Sequence, residues 1–179
     1  MSGLWEYWGI RSGEDGSVSD LKLLYSLEIN SVVFLVGEPD EARRHRVPVL
    51  LYRAGWTEDG HALACVIPDN TDAVITAQRV AVDLKLRVGE EVGYSIPFER
   101  RWGERTSIKF LTNECLLKEL LSDPLLLQYK VVMVDCEHGC SIEAHLLLSL
   151  LKKVLRQRPG LRVLLSLSPT EEVSTLHRF

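Results

Sequence analysis

Long apolar runs alternate with segments of helical spacing along the chain. Five of these runs have the length of a strand and few polar interruptions: residues 31–37 (SVVFLVG), 61–67 (HALACVI), 107–112 (SIKFLT), 130–135 (KVVMVD) and 161–168 (LRVLLSLS). Runs that are apolar on both faces are typical of strands in a parallel sheet that is covered on both sides. The pattern therefore predicts a buried strand at each of these places.

Segments of helical periodicity separate the strands. We predict a short helix from residue 20, capped by Ser19 or Asp20, and longer helices over residues 42–54, 72–86, 113–121 and 142–156. Strands that alternate with helices of this length indicate βαβ units. We therefore expect an α/β fold of three layers, α/β/α, around a mostly parallel sheet.

The composition places the chain among ordinary folded domains. Its 179 residues are 46% hydrophobic and 26% charged, with a net charge of −4. We expect a flexible leader over residues 1–19, which lacks a signal-peptide pattern, and one domain over residues 20–179. No apolar run is long and uncharged enough to cross a bilayer. The negative charge gives no general attraction for nucleic acid, so a nucleic-acid partner would need a local basic face.

Four cysteines bear on the cellular compartment. Cys65, Cys115, Cys136 and Cys140 form neither a disulfide-rich framework nor CxxC pairs. Few cysteines without a disulfide-type or CxxC spacing are typical of proteins in reducing compartments. The cysteine pattern therefore favours an intracellular location.

A candidate metal site follows the strand at residues 130–135. Cys136, His138 and Cys140 form C-x-H-x-C, and Glu137 or His145 could supply a fourth ligand. Structural zinc sites use four ligands, usually in pairs two to four residues apart, and this spacing matches no common zinc pattern. We expect no metal here, although a short turn could still bring these side chains together.

A basic run opens the helix predicted over residues 42–54. Arg43, Arg44, His45 and Arg46 could bind an anion, but a solvated helix face is the commoner reason for such a run. We therefore expect this run to face solvent.

The segments between and within the elements resemble a known family. The matching segments are residues 54–60 (AGWTEDG), 79–81 (RVA), 87–98 (RVGEEVGYSIPF), 106–112 (TSIKFLT) and 123–135 (DPLLLQYKVVMVD). Together they resemble the first RecA-like domain of the DEAH-box ATP-dependent RNA helicases, especially the spliceosome-associated branch. The resemblance implies a single RecA-like domain of the P-loop NTPase type.

The phosphate-binding loop of this family is altered here. The family pattern is G-x-x-x-x-G-K-[ST], whose backbone N–H groups, lysine and hydroxyl bind phosphates and Mg²⁺. Residues 37–44 read GEPDEARR. The resemblance assigns the first glycine to Gly37, the lysine position to Arg43 and the hydroxyl position to Arg44. Asp40 and Glu41 add negative charge to the loop, so both shape and charge oppose ATP.

The second acidic motif is altered as well, because DEAH becomes DCEH. By resemblance Asp135 takes the place of the Mg²⁺-linked aspartate, and His138 matches the family histidine. Cys136 stands where a glutamate activates the attacking water, and a neutral thiol cannot accept that proton. Glu137 is shifted by one position, so we expect its side chain to point away from the site.

Two segments match the family's contacts with single-stranded RNA. The Q-P-R-R segment becomes IPDN at residues 67–70, in which only Pro68 is kept, and T-D-G becomes TNE at residues 112–114, in which Thr112 is kept. Asp69 and Glu114 place carboxylates where phosphates would approach. Pro68 and Thr112 are therefore the remaining nucleic-acid positions implied by the resemblance.

These observations favour a helicase-like domain without ATP hydrolysis or unwinding, which acts as an interaction module in RNA processing. No cofactor is expected, with Mg-ATP as the cofactor if the family activity persists. RNA or ribonucleoprotein proteins are the expected partners, with no DNA and no membrane, and the resemblance implies a nuclear location. Enzymatic activity stays open. The alternatives are an ATP-dependent RNA helicase fragment that retains nucleotide or RNA binding, an RNA-binding module without nucleotide, and a decayed copy without function.

Overall fold

The computed structural model describes residues 7–9, 16–37 and 41–168. Within these ranges one sheet of eight strands runs in the order β1-β2-β8-β7-β3-β6-β4-β5. The strands are β1 (Tyr7–Gly9), β2 (Val32–Val36), β3 (Ala62–Val66), β4 (Val92–Ile96), β5 (Glu99–Arg101), β6 (Ile108–Leu111), β7 (Tyr129–Cys136) and β8 (Arg162–Leu167). Every pairing is parallel except that of β4 with β5.

Five helices cover the two faces of this sheet within the described residues. They are α1 (Gly16–Ile29), α2 (Glu41–Arg53), α3 (Asn70–Leu84), α4 (Asn113–Ser122) and α5 (Ile142–Gln157). Buried side chains of α1, α2 and α3 form one core with the sheet, and those of α4 and α5 form a second core on the opposite face. The predicted three-layer α/β/α fold with a mostly parallel sheet is therefore confirmed.

The buried strands follow the predicted apolar runs. All five residues of β2 and all five of β3 are buried, as expected for central parallel strands that have helices on both sides. On α3 the small residues Ala73, Ala77 and Ala81 face the sheet and are buried. Because their side chains are short, the helix can lie close to the strands.

The beginning of the domain differs from the sequence prediction. Helix α1 begins at Gly16, before the predicted cap at Ser19 or Asp20, and β1 pairs in parallel with β2 at one edge of the sheet. The predicted start of α1 is therefore wrong, because the apolar spacing by which the helix was recognised begins at Leu21 and does not report where the helix starts before it. The flexibility of residues 1–19 stays a prediction.

The sequence pattern also missed a hairpin at the other edge of the sheet. β4 and β5 are antiparallel, and Phe98 lies between them with a φ of 69°. All three residues of β5 are exposed, so this strand lacks the apolar run by which the other strands were recognised. Gly93 in β4 allows close contact, since a Cβ there would lie 2.6 Å from the carbonyl oxygen of Arg101.

A polar cluster lies on the sheet face that carries α4 and α5. The hydroxyl of Tyr129 donates to Glu119 Oε2 at 2.6 Å, and Gln128 Nε2 donates to the same oxygen at 3.1 Å. Lys109 reaches Gln128, and its Nζ lies 4.7 Å from the ring centroid of Trp102. Burial raises the pKa of Glu119 and lowers the pKa of Lys109, although the attraction between the two charges partly offsets both shifts.

Among the residues that the structure describes, no helix has both the length and the apolar character needed to cross a bilayer.

Candidate functional site

The candidate site lies at the carboxyl ends of the central strands. In a parallel sheet the carboxyl ends of the strands all lie on the same side, and ligands of open α/β folds bind there. Gly37 follows β2, Asp135 and Cys136 end β7, Pro68 follows β3 and Thr112 follows β6. The N–H of Gly37 donates to the carbonyl of Leu167 at 3.1 Å, which ties the end of β2 to the end of β8. The fold therefore brings the motif positions to the side of the sheet where the strands end, which we call the carboxyl edge.

Arg44 forms a buried ion pair at the centre of this edge. Its Nε lies 2.5 Å from Asp135 Oδ2, and its Nη1 lies 2.7 Å from Asp72 Oδ2. The side chain of Arg44 is 7% exposed and that of Asp135 is 2% exposed, whereas that of Asp72 is 44% exposed. Burial works against the charge of Arg44, but the nearby carboxylates of Asp135 and Asp72 outweigh it and raise the arginine pKa. Arg44 is therefore held as a charged partner of Asp135.

Arg43 forms a second ion pair beside the first. Its Nη1 lies 2.8 Å from Glu137 Oε1 and donates to Ser166 Oγ at 3.2 Å. The Ser166 hydroxyl also donates to Glu137. Glu137 is buried, with a side chain that is 1% exposed. The expectation that Glu137 points away from the site is therefore wrong, because the turn after β7 directs it toward α2.

The predicted solvated face of the basic run is wrong for its first half. The side chains of Arg43 and Arg44 lie under the carboxyl edge of the sheet, whereas Arg46 is exposed and pairs with Asp20 at 2.8 Å. The strand order explains the difference. Helix α2 connects β2 to β3, and β8 and β7 lie between these two strands, so α2 begins near the ends of β7 and β8, where the buried carboxylates lie. Sequence position alone could not place these arginines opposite acids more than ninety residues away.

The turn that follows β7 is tightly closed. The N–H of Glu137 donates to Asp135 Oδ1 at 3.0 Å, and the N–H of Gly139 donates to the carbonyl of Cys136 at 3.2 Å. Gly139 has a φ of 98°, which favours glycine. Cys136 and Cys140 are joined as a disulfide across this turn. The cysteine spacing did not predict this pair.

The disulfide bears on the C-x-H-x-C alternative. Within the described residues no group of three or more His, Cys, Asp or Glu side chains is arranged to hold a metal ion. Cys136 and Cys140 are bonded to each other, and His138 is exposed at the tip of the turn. The geometry therefore gives no support to the zinc alternative.

The two nucleic-acid positions lie at the same edge but in different surroundings. Pro68 is exposed after β3, and the neighbouring Asp69 caps α3 by accepting from the N–H groups of Thr71 and Asp72 at 2.7 and 2.9 Å. The carboxylate that replaces a phosphate-binding group therefore has a structural use as an N-cap.

Thr112 lies in a different environment, because it is buried at the end of β6. Thr112 is 4% exposed and its neighbour Asn113 is 6% exposed. Thr112 Oγ1 and Asn113 Oδ1 are both buried without a hydrogen-bond partner in the part of the chain that the structure describes. Buried polar atoms are normally paired, so these two oxygens are candidates for contact with a ligand.

Three residues of the site were not singled out for it by the sequence patterns. Asp72 was included only as the start of a helix, Ser166 only as part of an apolar strand, and Glu137 was placed elsewhere. Ser166 did carry a signal, because it is the only polar residue inside the run VLLSL. A polar residue in a central buried strand needs a partner, which here is the Arg43–Glu137 pair.

Comparison with known proteins finds relatives over most of the chain. A putative pre-mRNA-splicing factor ATP-dependent RNA helicase of Schizosaccharomyces pombe is 34% identical over 158 residues, which are 88% of this chain and 24% of the relative. A probable ATP-dependent RNA helicase of Caenorhabditis elegans, a DHX35 homolog, is 35% identical over 144 residues, 80% of this chain and 20% of the relative. A pre-mRNA-splicing factor ATP-dependent RNA helicase of Arabidopsis thaliana, DEAH10, is 36% identical over 137 residues, 76% of this chain and 19% of the relative.

These relatives confirm the resemblance drawn from the motifs. No family model matches the chain. The chain spans 24% or less of the length of the three relatives, so the comparison concerns one segment of each. The segment folds here as a single α/β domain with the RecA-like arrangement of a mostly parallel sheet between two helical layers. The chain is therefore similar to one segment of the DEAH-box ATP-dependent RNA helicases, and it has the fold of a single RecA-like domain.

Proposed function

We propose that the chain is a helicase-like domain that neither hydrolyses ATP nor unwinds RNA, and that it acts as an interaction module in RNA processing. The observation that carries this proposal is the pairing of both arginines of the phosphate-loop position with buried acids. Arg44 is paired with Asp135 and Arg43 with Glu137. Arg43, at the lysine position, and Asp135, at the Mg²⁺ position, are therefore each paired with an opposite charge of this chain.

The cost of opening these pairs weighs against nucleotide binding. Breaking a buried ion pair, so that one charge is left without its partner, costs about 3–5 kcal/mol. Each 1.4 kcal/mol weakens a dissociation constant about tenfold. If one pair must open for the phosphates to enter, a dissociation constant of about 1 μM rises to roughly 0.1–4 mM. Asp135 would also have to leave Arg44 to meet Mg²⁺.

The position of the water-activating group also supports the proposal. The resemblance assigns this position to Cys136, whose side chain is fully buried and is bonded to Cys140. A disulfide sulfur has no proton-accepting capacity comparable with a carboxylate. Glu137 is the nearest carboxylate in sequence, but it accepts from Arg43 and Ser166. Neither residue is placed to activate a water molecule for attack on ATP.

The partner side of the proposal rests on the relatives. Two of them are described as pre-mRNA-splicing factors, and all three as RNA helicases. We therefore propose RNA or ribonucleoprotein proteins as the partners, and the nucleus as the location. Mg-ATP is the cofactor only if the activity named for the relatives persists in this chain.

A test of nucleotide binding separates the proposal from the helicase alternative. Mg·ATP is titrated into the full chain and binding heat is measured, together with phosphate release in the presence of RNA. We expect no saturation below about 0.1 mM. Asp135→Asn changes the residue that the resemblance assigns to Mg²⁺. The control is Asp59→Asn, which changes an aspartate in the loop before β3, at the amino ends of the strands, where it pairs with Lys130. Micromolar binding that weakens at least about tenfold in Asp135→Asn, but not in Asp59→Asn, would refute the proposal.

A second candidate function, RNA binding without nucleotide, is favoured by the two buried oxygens of Thr112 and Asn113. A 2′-hydroxyl can donate to such acceptors, and DNA lacks this group. Retention of a single-stranded RNA is compared with that of the matching DNA over a range of salt concentrations. Thr112→Ala is expected to weaken RNA retention. Thr57→Ala, in the loop between α2 and β3 at the amino ends of the strands, is expected to leave it unchanged. Equal retention of RNA and DNA, unaltered by Thr112→Ala, would count against this second function.

A further inference from the structure

The disulfide spans the turn that carries Glu137. The Cα atoms of Cys136 and Cys140 lie 4.9 Å apart, within the range of about 4.4–6.8 Å that a disulfide requires. The backbone itself brings the two residues together, because the N–H of Gly139 bonds to the carbonyl of Cys136 and Gly139 adopts a positive φ. The turn is therefore already shaped for the bond, so little backbone movement is needed to form it.

The two sulfurs differ in their access to solvent. Cys136 is fully buried at the end of β7, whereas Cys140 is only partly buried, at the border of the core that α4 and α5 cover. Small thiols and disulfides can therefore approach Cys140 but not Cys136. The remaining cysteines, Cys65 and Cys115, are free and buried, and burial raises the pKa of the Cys65 thiol. Of the four thiols, the one at Cys140 is the accessible entry point.

We propose that Cys136 and Cys140 form a reversible oxidation site, at which a dithiol–disulfide exchange fixes the turn that holds Glu137 against Arg43. Disulfides are transient in the reducing compartment that the cysteine pattern favours. The bond closes a ring around Glu137, whose carboxylate pairs with Arg43 and accepts from Ser166. Oxidation therefore holds one half of the ion-pair cluster in place, and reduction leaves the turn to be held by its hydrogen bonds.

The exchange balances with a small disulfide such as oxidised glutathione. The Cys140 thiolate attacks one sulfur of glutathione disulfide, which forms a mixed disulfide and releases one glutathione thiolate. The Cys136 thiolate then attacks the Cys140 sulfur and releases the second glutathione. The protein loses two electrons and two protons, and the glutathione disulfide gains them as two thiols. Reduction runs through the same steps in reverse, with attack at the accessible Cys140 sulfur.

The first experiment counts thiols in the full chain. The protein is equilibrated in buffers of different glutathione ratios, quenched with acid, unfolded and alkylated, and its mass is measured. We expect four alkylated cysteines under reducing conditions and two under oxidising conditions, with Cys136 and Cys140 protected. In Cys140→Ser the count is expected to stay at three under all conditions, and in Cys115→Ser it should change from three to one. Four alkylated cysteines at every ratio, or a stable glutathione adduct on Cys140, would overturn the proposal.

The second experiment tests the link between the disulfide and the ion pair. Closing so short a loop is expected to raise Tm by about 4–8 °C in the oxidised chain, with no redox-dependent shift in Cys140→Ser. The coupling of Arg43 with Glu137 is then measured with Arg43→Met, Glu137→Gln and the double variant, in both redox states. We expect the coupling to be at least about threefold larger, as a ratio of unfolding constants, when the disulfide is closed. Equal coupling in the two states would show that the bond does not hold Glu137 in place.

Discussion

Replacing Arg44 by methionine is expected to destabilise the domain severely, because it leaves Asp135 buried without its cation. Methionine keeps most of the apolar stem of arginine and removes the guanidinium. After the change Asp135 Oδ1 keeps the N–H of Glu137, at 3.0 Å, but Oδ2 loses the arginine that lies 2.5 Å away. The perturbation therefore isolates one buried carboxylate oxygen.

The burial of the pair determines the magnitude. With side chains that are 7% and 2% exposed, Arg44 and Asp135 form a pair that solvent screens little. Removing one partner of such a pair costs about 3–5 kcal/mol, which for a chain of this size lowers Tm by roughly 6–20 °C. The second partner of Arg44, Asp72, is 44% exposed, so water can replace its lost contact.

Arg46→Met provides the matched control. Arg46 lies on the same helix and pairs with Asp20 at 2.8 Å, but the two side chains are 52% and 32% exposed. An exposed pair of this kind contributes about 0–1 kcal/mol. The comparison therefore holds the residue type, the substitution and the helix constant, whereas the burial of the pair and the number of carboxylates around the arginine differ.

Urea unfolding followed by far-UV circular dichroism measures both variants. The midpoint should fall strongly in Arg44→Met with little change in the m-value, and it should hardly move in Arg46→Met. In the double variant Arg44→Met/Asp135→Asn the charge left behind is removed, so the loss is expected to be at least about 2 kcal/mol smaller than the sum of the single losses. If Arg44→Met costs no more than Arg46→Met, the buried pair does not stabilise the domain.

Three further predictions concern other parts of the fold. Burial raises the pKa of Glu119 above its ordinary 4.5, so the wild-type chain should lose stability as pH rises from about 4.5 through the folded pKa. In urea titrations at different pH values, Glu119→Gln should flatten this loss, whereas Glu114→Gln, at an exposed position, should not. Gly93→Ala should cost about 1–3 kcal/mol because its Cβ would overlap backbone at 2.6 Å, and a thermal melt should show Gly160→Ala, which meets nothing within 4 Å, to be nearly neutral. Ser141→Ala removes the hydroxyl that accepts from the first turn of α5 at 3.1 Å, which should cost about 0.5–2 kcal/mol in the same melt; an unchanged Tm would mean that this cap does not stabilise the helix.

Much of the fold could be predicted because its signal is local. The apolar runs at β2, β3, β6, β7 and β8 each lie within one or two residues of the strand observed. A strand covered on both faces must be apolar throughout, and that requirement is visible in a few consecutive letters. β1 and β5 are three residues long, and β5 is exposed, so they carry no comparable pattern. Their place in the sheet depends on pairing with β2 and β4, which sequence periodicity does not report.

The candidate site could also be predicted only in part from the sequence. The residue types at the motif positions, such as Cys136 at the position that the resemblance assigns to a glutamate, can be read from the sequence, and their loss of function stays a prediction. The contacts of Arg43 with Glu137 and of Arg44 with Asp135, and the bond between Cys136 and Cys140, depend on the folded chain. The first two contacts join residues of α2 to residues at the end of β7, and they exist because the sheet order places α2 over that end. Glu137, which the sequence predicted to point away from the site because it is shifted by one position, is turned after β7 toward Arg43 and is its buried partner.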